Sequence, residues 1–232
     1  MRLPPLESGR LIRRYKRFLA DVRLEGGETV TAHCANSGSM MGLCAPDSEV
    51  RLSRADAPGR KLAWTWELVH ADGAWVGIHT GRTNALAREG IEDGTLAELA
   101  GYAVLKPEVS LPDGTRLDFL LTGEGCPPCY VEVKSVTLRQ EGEARFPDAV
   151  TVRGLKHVER LIDLRRAGCR AVLLFIVQRG DCALFRPADG IDPAYGAGLR
   201  RAAAAGVEIL ARRCRVAMDE IRVERPLPFD LA

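Results

Sequence analysis

Apolar positions fall in short runs along residues 11–79, rich in Val, Thr and aromatic residues and broken by Gly, Asp and Pro, a pattern that predicts β structure. Two hairpins are visible in it. One joins residues 18–24 to 29–33 across Glu25-Gly26-Gly27-Glu28, and the other joins 63–70 to 75–79 across Ala71-Asp72-Gly73. Several short antiparallel strands in one small region predict a closed barrel, because closure removes exposed strand edges. The OB-fold is the expected barrel type, since it carries a polar binding face.

Near Gly81 the period changes. Asn84 is placed to cap a helix running to about Asp93, and strands follow at 103–109, 115–121 and 130–136. Leu111-Pro112-Asp113-Gly114 is the turn between the first two. A helix over 152–167 has Leu155, Val158, Leu161 and Ile162 on one face and Gly168 as its stop. The run AVLLFIV at 171–177 suits a central strand buried on both faces. A strand near Leu184, a helix opening with Pro193 after Asp192, and a strand at 207–210 complete the pattern. The expected architecture is two-domain: residues 1–81 form an OB-fold-like barrel, and residues 82–232 an α/β domain with a mixed sheet flanked by helices.

At 232 residues and 46% hydrophobic content, the chain can bury the cores this reading requires. Its first residues contain no apolar run of signal-peptide length, and 171–177 is too short to cross a bilayer, so no membrane role and a cytoplasmic location are expected. Seven irregularly spaced cysteines do not form a disulfide framework, and Cys126-Pro-Pro-Cys129 reads as a tight loop. Trp64, Trp66 and Trp75 read as core, and the four histidines, lacking metal-binding spacing, as structural.

A net charge of +2 says little, but its distribution is uneven. Six basic residues lie between Arg10 and Arg23 against the single acid Asp21. Arg153, Lys156, His157 and Arg160 then fall at i, i+3, i+4 and i+7 of the predicted helix, on one side of it. Arg13, Arg14, Lys16 and Arg17 surround Tyr15 and Phe18, combining phosphate-seeking charge with rings on which bases stack. Asn36 and Ser37, in a Gly-containing loop, are candidate contacts to phosphate or sugar, and Arg153 and Lys156 are candidate phosphate grips.

The chemistry centres on Tyr130-Val131-Glu132-Val133-Lys134-Ser135, where strand alternation puts Glu132 and Lys134 on one face. Asp118 is a lone acid in the apolar strand before it and needs a partner if buried. Paired as a hairpin, the two strands bring Asp118 and Glu132 close enough to share a cation. Mg²⁺ or Mn²⁺ suits such a pair, because one or two carboxylates leave positions for water and phosphate oxygens, and the Val133 carbonyl is a further candidate ligand. Lys134 would orient a water or offset charge on the phosphate.

An acid on a helix, then Asp, then Glu-x-Lys on strands, then a basic helix, resembles the core of the PD-(D/E)xK nuclease superfamily. The resemblance implies Asp118 and Glu132 as metal ligands, Lys134 as the catalytic lysine and Glu89 as an auxiliary acid, with Glu92 and Glu98 also nearby. Leu117 stands where that pattern has Pro. More of the chain, namely Arg13-Arg14-Tyr15-Lys16-Arg17-Phe18, His33-Cys34-Ala35-Asn36-Ser37-Gly38-Ser39-Met40, His79-Thr80, Thr83-Asn84, residues 130–138, Phe146-Pro147-Asp148-Ala149 and Gln178-Arg179, resembles the sugar fermentation stimulation protein (SfsA) family. That resemblance implies non-specific DNA binding, an OB-like barrel joined to a nuclease-like domain, and a proposed link to regulation of maltose-metabolism genes.

Two functions are therefore expected to compete: a Mg²⁺-dependent phosphodiesterase acting on DNA rather than RNA, and a non-catalytic DNA-binding regulatory factor that keeps a nuclease fold. A homodimer is the assembly that would let such a site reach both strands of a duplex.

Overall fold

Five strands close into a barrel in the computed structural model, which describes residues 1–55, 59 and 61–232. They are β1 (Leu6–Tyr15), β2 (Leu19–Leu24), β3 (Thr29–Cys34), β4 (Glu49–Arg54) and β5 (Trp64–Ala71), with β6 (Ala74–Gly77) paired outside β5. The order β3-β2-β1-β4-β5 is antiparallel throughout, and a parallel pairing of Ala32–Cys34 with Trp64–Trp66 closes the ring. Alternate residues point inward: Ala20 and Val22, Val30 and Ala32, Val50 and Leu52, with Trp66 fully buried among them. Both expected hairpins form. In the second, Asp72 and Gly73 have φ of 54° and 81°, the pair of positive angles that a two-residue turn of right-handed strands requires. Strand β1 starts at Leu6, five residues before the β region expected from residue 11.

The second part begins with α1 (Thr83–Glu92) and continues as β7 (Val104–Ser110), β8 (Arg116–Thr122), β9 (Cys129–Val136), β10 (Leu138–Gln140) and β11 (Glu143–Phe146). Then come α2 (Val152–Arg166), β12 (Arg170–Val177), β13 (Phe185–Pro187), α3 (Pro193–Ala204), β14 (Glu208–Val216) and β15 (Ile221–Pro226). Its main sheet has the order β15-β14-β12-β9-β8-β7, parallel at β9, β12 and β14 and antiparallel toward both edges. Residues 171–177 occupy the centre, as a fully apolar run must. Leu173, Phe175 and Val177 face the core that includes α2 and α3, while Val172, Leu174 and Ile176 face the core that includes α1. The strand expected at 207–210 runs on to Val216, and β15 was not foreseen.

Helix ends follow their side chains. Thr151 Oγ1 accepts the Gly154 N–H at 3.0 Å to open α2, and Asp192 accepts the Tyr195 N–H at 3.0 Å to open α3. Asn84, expected to cap α1, instead lies inside the helix, where its amide is directed at Asp118.

Ion pairs clasp the barrel to the sheet. Glu67 on β5 is only 2% exposed, and its carboxylate accepts two hydrogen bonds from Arg82, just before α1, at 2.7 and 2.6 Å. Arg179, 1% exposed, donates to Asp181 beside it, to the Thr137 carbonyl and to Asp72 in the barrel's second hairpin turn. Among the described residues no helix is long and apolar enough to cross a membrane.

Candidate functional site

The β8–β9 hairpin sets Phe119 opposite Val131, so Asp118 and Glu132 are neighbours one step along. Both line a single cavity of 320 Å³, together with Lys134, Arg153 and His157. Asp118 is fixed from two sides: Oδ2 accepts the Val133 N–H at 2.7 Å and Oδ1 accepts the Asn84 amide at 2.8 Å. Glu132, 3% exposed, directs Oε1 at the Lys134 ammonium, 2.5 Å away, and at Nδ1 of His157. Its other oxygen, Oε2, is buried and has no hydrogen-bond partner among the described residues.

The two carboxyls are driven apart electrostatically. Burial raises the pKa of Asp118, and the charge of Glu132 raises it further, against the hydrogen bonds from Val133 and Asn84. Burial acts in the same direction on Glu132, yet the His157 hydrogen bond and the Lys134 charge outweigh it and hold the pKa below the ordinary carboxylate value. The pair is one anion tightly held beside one carboxyl whose ionisation is disfavoured.

A divalent cation fits this imbalance. Among the described residues Glu132 Oε2 is a buried acceptor without a donor, which is uncommon because desolvating such an atom without a partner is costly. A cation near it would also favour ionised Asp118. Among the described residues no three His, Cys, Asp or Glu side chains form a ligand cluster. Asp118 and Glu132 offer two carboxylates to the cavity, with remaining positions open to water or substrate oxygens, a donor set that suits a hard divalent cation.

Of the expected site residues, Asp118, Glu132 and Lys134 meet in the cavity, with Arg153 at its rim. Lys156 lines an adjoining hollow of 390 Å³ that also contains Arg153 and His157. Glu89 does not reach the site. Its carboxylate pairs with the N-terminal ammonium at 2.5 Å, and α1 presents Asn84 to Asp118 instead. Two further residues were missed: Asn84, read as a cap, and His157, read as part of a basic face but buried against Glu132. The spacing of α2 put His157 on the same side as Arg153 but could not show which of them turned inward.

The barrel candidates divide. Lys16, Arg17 and Ser37 are exposed, and Arg17 and Ser37 line a 530 Å³ cleft between the barrel and residues 146–151. Arg13 is exposed but paired with Asp21 at 2.9 Å. Arg14 is a loop clamp as much as a surface cation, donating to the carbonyls of Asn36, Gly38 and Ser39. Asn36, expected to contact a ligand, is 5% exposed. Its amide donates to the Ile78 carbonyl and its oxygen accepts the Gly38 N–H, so it shapes the loop. Trp66 is core, whereas Trp64 and Trp75 are partly buried under Arg54 and Arg51.

Residues 12–78 match the family model described as the SfsA N-terminal OB domain, and residues 81–220 match the sugar fermentation stimulation protein RE domain. The chain is 58% identical over 224 residues to a sugar fermentation stimulation protein homolog of Geobacter sulfurreducens, covering 97% of this chain and 96% of that protein. A homolog from Pelobacter propionicus is 55% identical and covers 100% of both chains. The solved structure of Pyrococcus furiosus SfsA in complex with Ca²⁺ superposes with a TM-score of 0.89 at 28% identity, covering 99% of this chain and 98% of that one. The two family models together span most of this chain and the relatives match it over nearly their whole length, so this chain belongs to the SfsA family.

Proposed function

We propose that the protein binds DNA and hydrolyses its phosphodiester bonds with Mg²⁺ or Mn²⁺ at Asp118 and Glu132. The observation that carries this reading is the buried, unpartnered Oε2 of Glu132 beside the destabilised carboxyl of Asp118, in a cavity that also contains a lysine and an arginine. That the Pyrococcus furiosus relative is described in complex with Ca²⁺ supports a hard, oxygen-seeking cation.

Asp118 and Glu132 would hold the cation. When bound, it supplies Lewis acidity toward a phosphoryl oxygen and makes water a stronger nucleophile at neutral pH. Asn84 and the Val133 amide keep Asp118 aimed at the cavity, while His157 fixes the rotamer of Glu132. Lys134 is already within 2.5 Å of Glu132, so it stands where it can neutralise charge developing on a bound phosphate and position an attacking water. Arg153, exposed at the first turn of α2, is placed to grip a neighbouring phosphate.

The test is incubation with single-stranded, duplex and branched DNA, with and without Mg²⁺ or Mn²⁺. Cleavage that disappears in chelator and in Asp118→Ala is expected. Binding without cleavage of any substrate would instead favour a regulatory DNA-binding factor. His157→Ala should weaken metal affinity by about 10- to 100-fold, as loss of a partner behind a ligand does. Unchanged metal titration in that variant would remove His157 from the positioning role.

A further inference from the structure

Three hollows lie in series. The 530 Å³ cleft under the barrel, lined by Arg17 and Ser37, shares Thr151 with the 320 Å³ cavity of Asp118 and Glu132. That cavity shares Arg153 with the 390 Å³ hollow lined by Arg116 and Lys156. Exposed cations stand at both ends: Lys16 and Arg17 on the barrel, Arg153 and Lys156 on α2. The acid on the cleft wall, Asp148, is turned into the protein, where it accepts the Met40 N–H at 2.9 Å.

Exposed apolar groups accompany this charge. Val150 and Val152 flank the shared Thr151 and are 70% and 69% exposed, and Phe18, next to Arg17, is 45% exposed. Phosphates have no use for these side chains, whereas an unpaired base can stack on the ring of Phe18 and lay its apolar face against the two valines. A duplex keeps its base faces stacked inside and resists bending over about 150 base pairs, so it does not dip into three successive hollows of small-ligand size.

Resting on the nuclease reading of Asp118 and Glu132, we propose that the substrate is a single strand. It lies in one track from Phe18 and Arg17 on the barrel, over Val150 and Val152 at Thr151, past the two carboxylates, to Arg153 and Lys156. The barrel and the α/β part thus hold the same strand on either side of the bond to be cut.

The test is fluorescence anisotropy with the full chain in chelator, using single strands of about 4 to about 16 nucleotides, the span of OB-fold site sizes, and duplexes of matching sequence. Single strands should bind at least tenfold more tightly than duplexes, with affinity rising with length until both cation groups are engaged. Arg17→Ala and Lys156→Ala should each reduce the slope of log affinity against log salt by about 0.7 on single strands. Val150→Asp, with Val152→Asp as a second variant, should weaken long single strands about tenfold while leaving the melting temperature unchanged, since both side chains are largely in solvent. Equal affinity for duplex and single strand, or no effect of Arg17→Ala and the valine variants, overturns the track. Mg²⁺-dependent cleavage confined to duplex overturns it too while sparing the nuclease reading. The predicted binding pattern with no cleavage of any strand does the reverse: it sustains the track for a bound strand and rejects the nuclease reading.

Discussion

Asp118→Asn is expected to raise the stability of the metal-free protein by about 1 kcal/mol, or about 2–4 °C in melting temperature, while lowering cation-dependent cleavage by about a thousandfold. The amide oxygen can still accept the Val133 N–H, Asn84 can turn its amide over so that its oxygen accepts from the new NH2, and the charge that burial and Glu132 oppose is gone. The sign of the pH dependence follows. Folding raises the pKa of Asp118, so its penalty is absent in acid and develops as pH rises through the raised value. The gain from Asn should therefore be present near pH 8 and vanish by about pH 4. Glu132 acts oppositely: its lowered pKa contributes stability above the ordinary carboxylate value that is lost as pH falls. Calorimetry at several pH values checks both. Added Ca²⁺ should stabilise the wild type by about 2.7 kcal/mol at one hundred times its Kd and leave Asp118→Asn unmoved. A variant less stable than wild type at neutral pH, or one still stabilised by Ca²⁺, contradicts the assignment.

Arg179→Ala should be the more damaging change to the fold, costing about 3 kcal/mol and about 6–12 °C. The guanidinium is 1% exposed and serves three elements at once, so its removal strands the Thr137 carbonyl and frees two acids to repel. Arg179→Lys should recover only part of the loss, because an ammonium lacks the planar fork that spans Asp181 and Asp72 together. Thermal or urea unfolding measures this, and a loss below about 1 kcal/mol in Arg179→Ala would show the contact to be incidental.

The features legible in the sequence were those with a short period. Alternation in Tyr130–Ser135 placed Glu132 with Lys134, the isolated Asp118 marked the neighbouring strand, and both barrel hairpins stood out by their turns. What could not be read depends on partners far along the chain. Asn36 looks like a surface loop residue until Ile78, 42 positions away, takes its amide. Arg14 looks like a phosphate contact until the loop carbonyls surround it. Glu89 and Asn84 sit on one helix, and only its packing against the sheet decides which of them reaches Asp118. His157 is the same kind of case: charge periodicity found the helix face, and tertiary packing turned one member of it onto Glu132.

The clasp between Glu67 and Arg82 bears on how this chain can be inherited. A barrel with its own hydrophobic core looks like a portable module. Yet Glu67 on β5 is a buried anion whose neutralising charge arrives from beyond the last barrel strand. Moved alone into another protein, the barrel would keep Glu67 and the Ser53 hydroxyl that donates to it, and lose the guanidinium that neutralises the carboxylate. Recombination between the two halves is therefore penalised unless both ends of the pair move together, so the halves should descend as a unit.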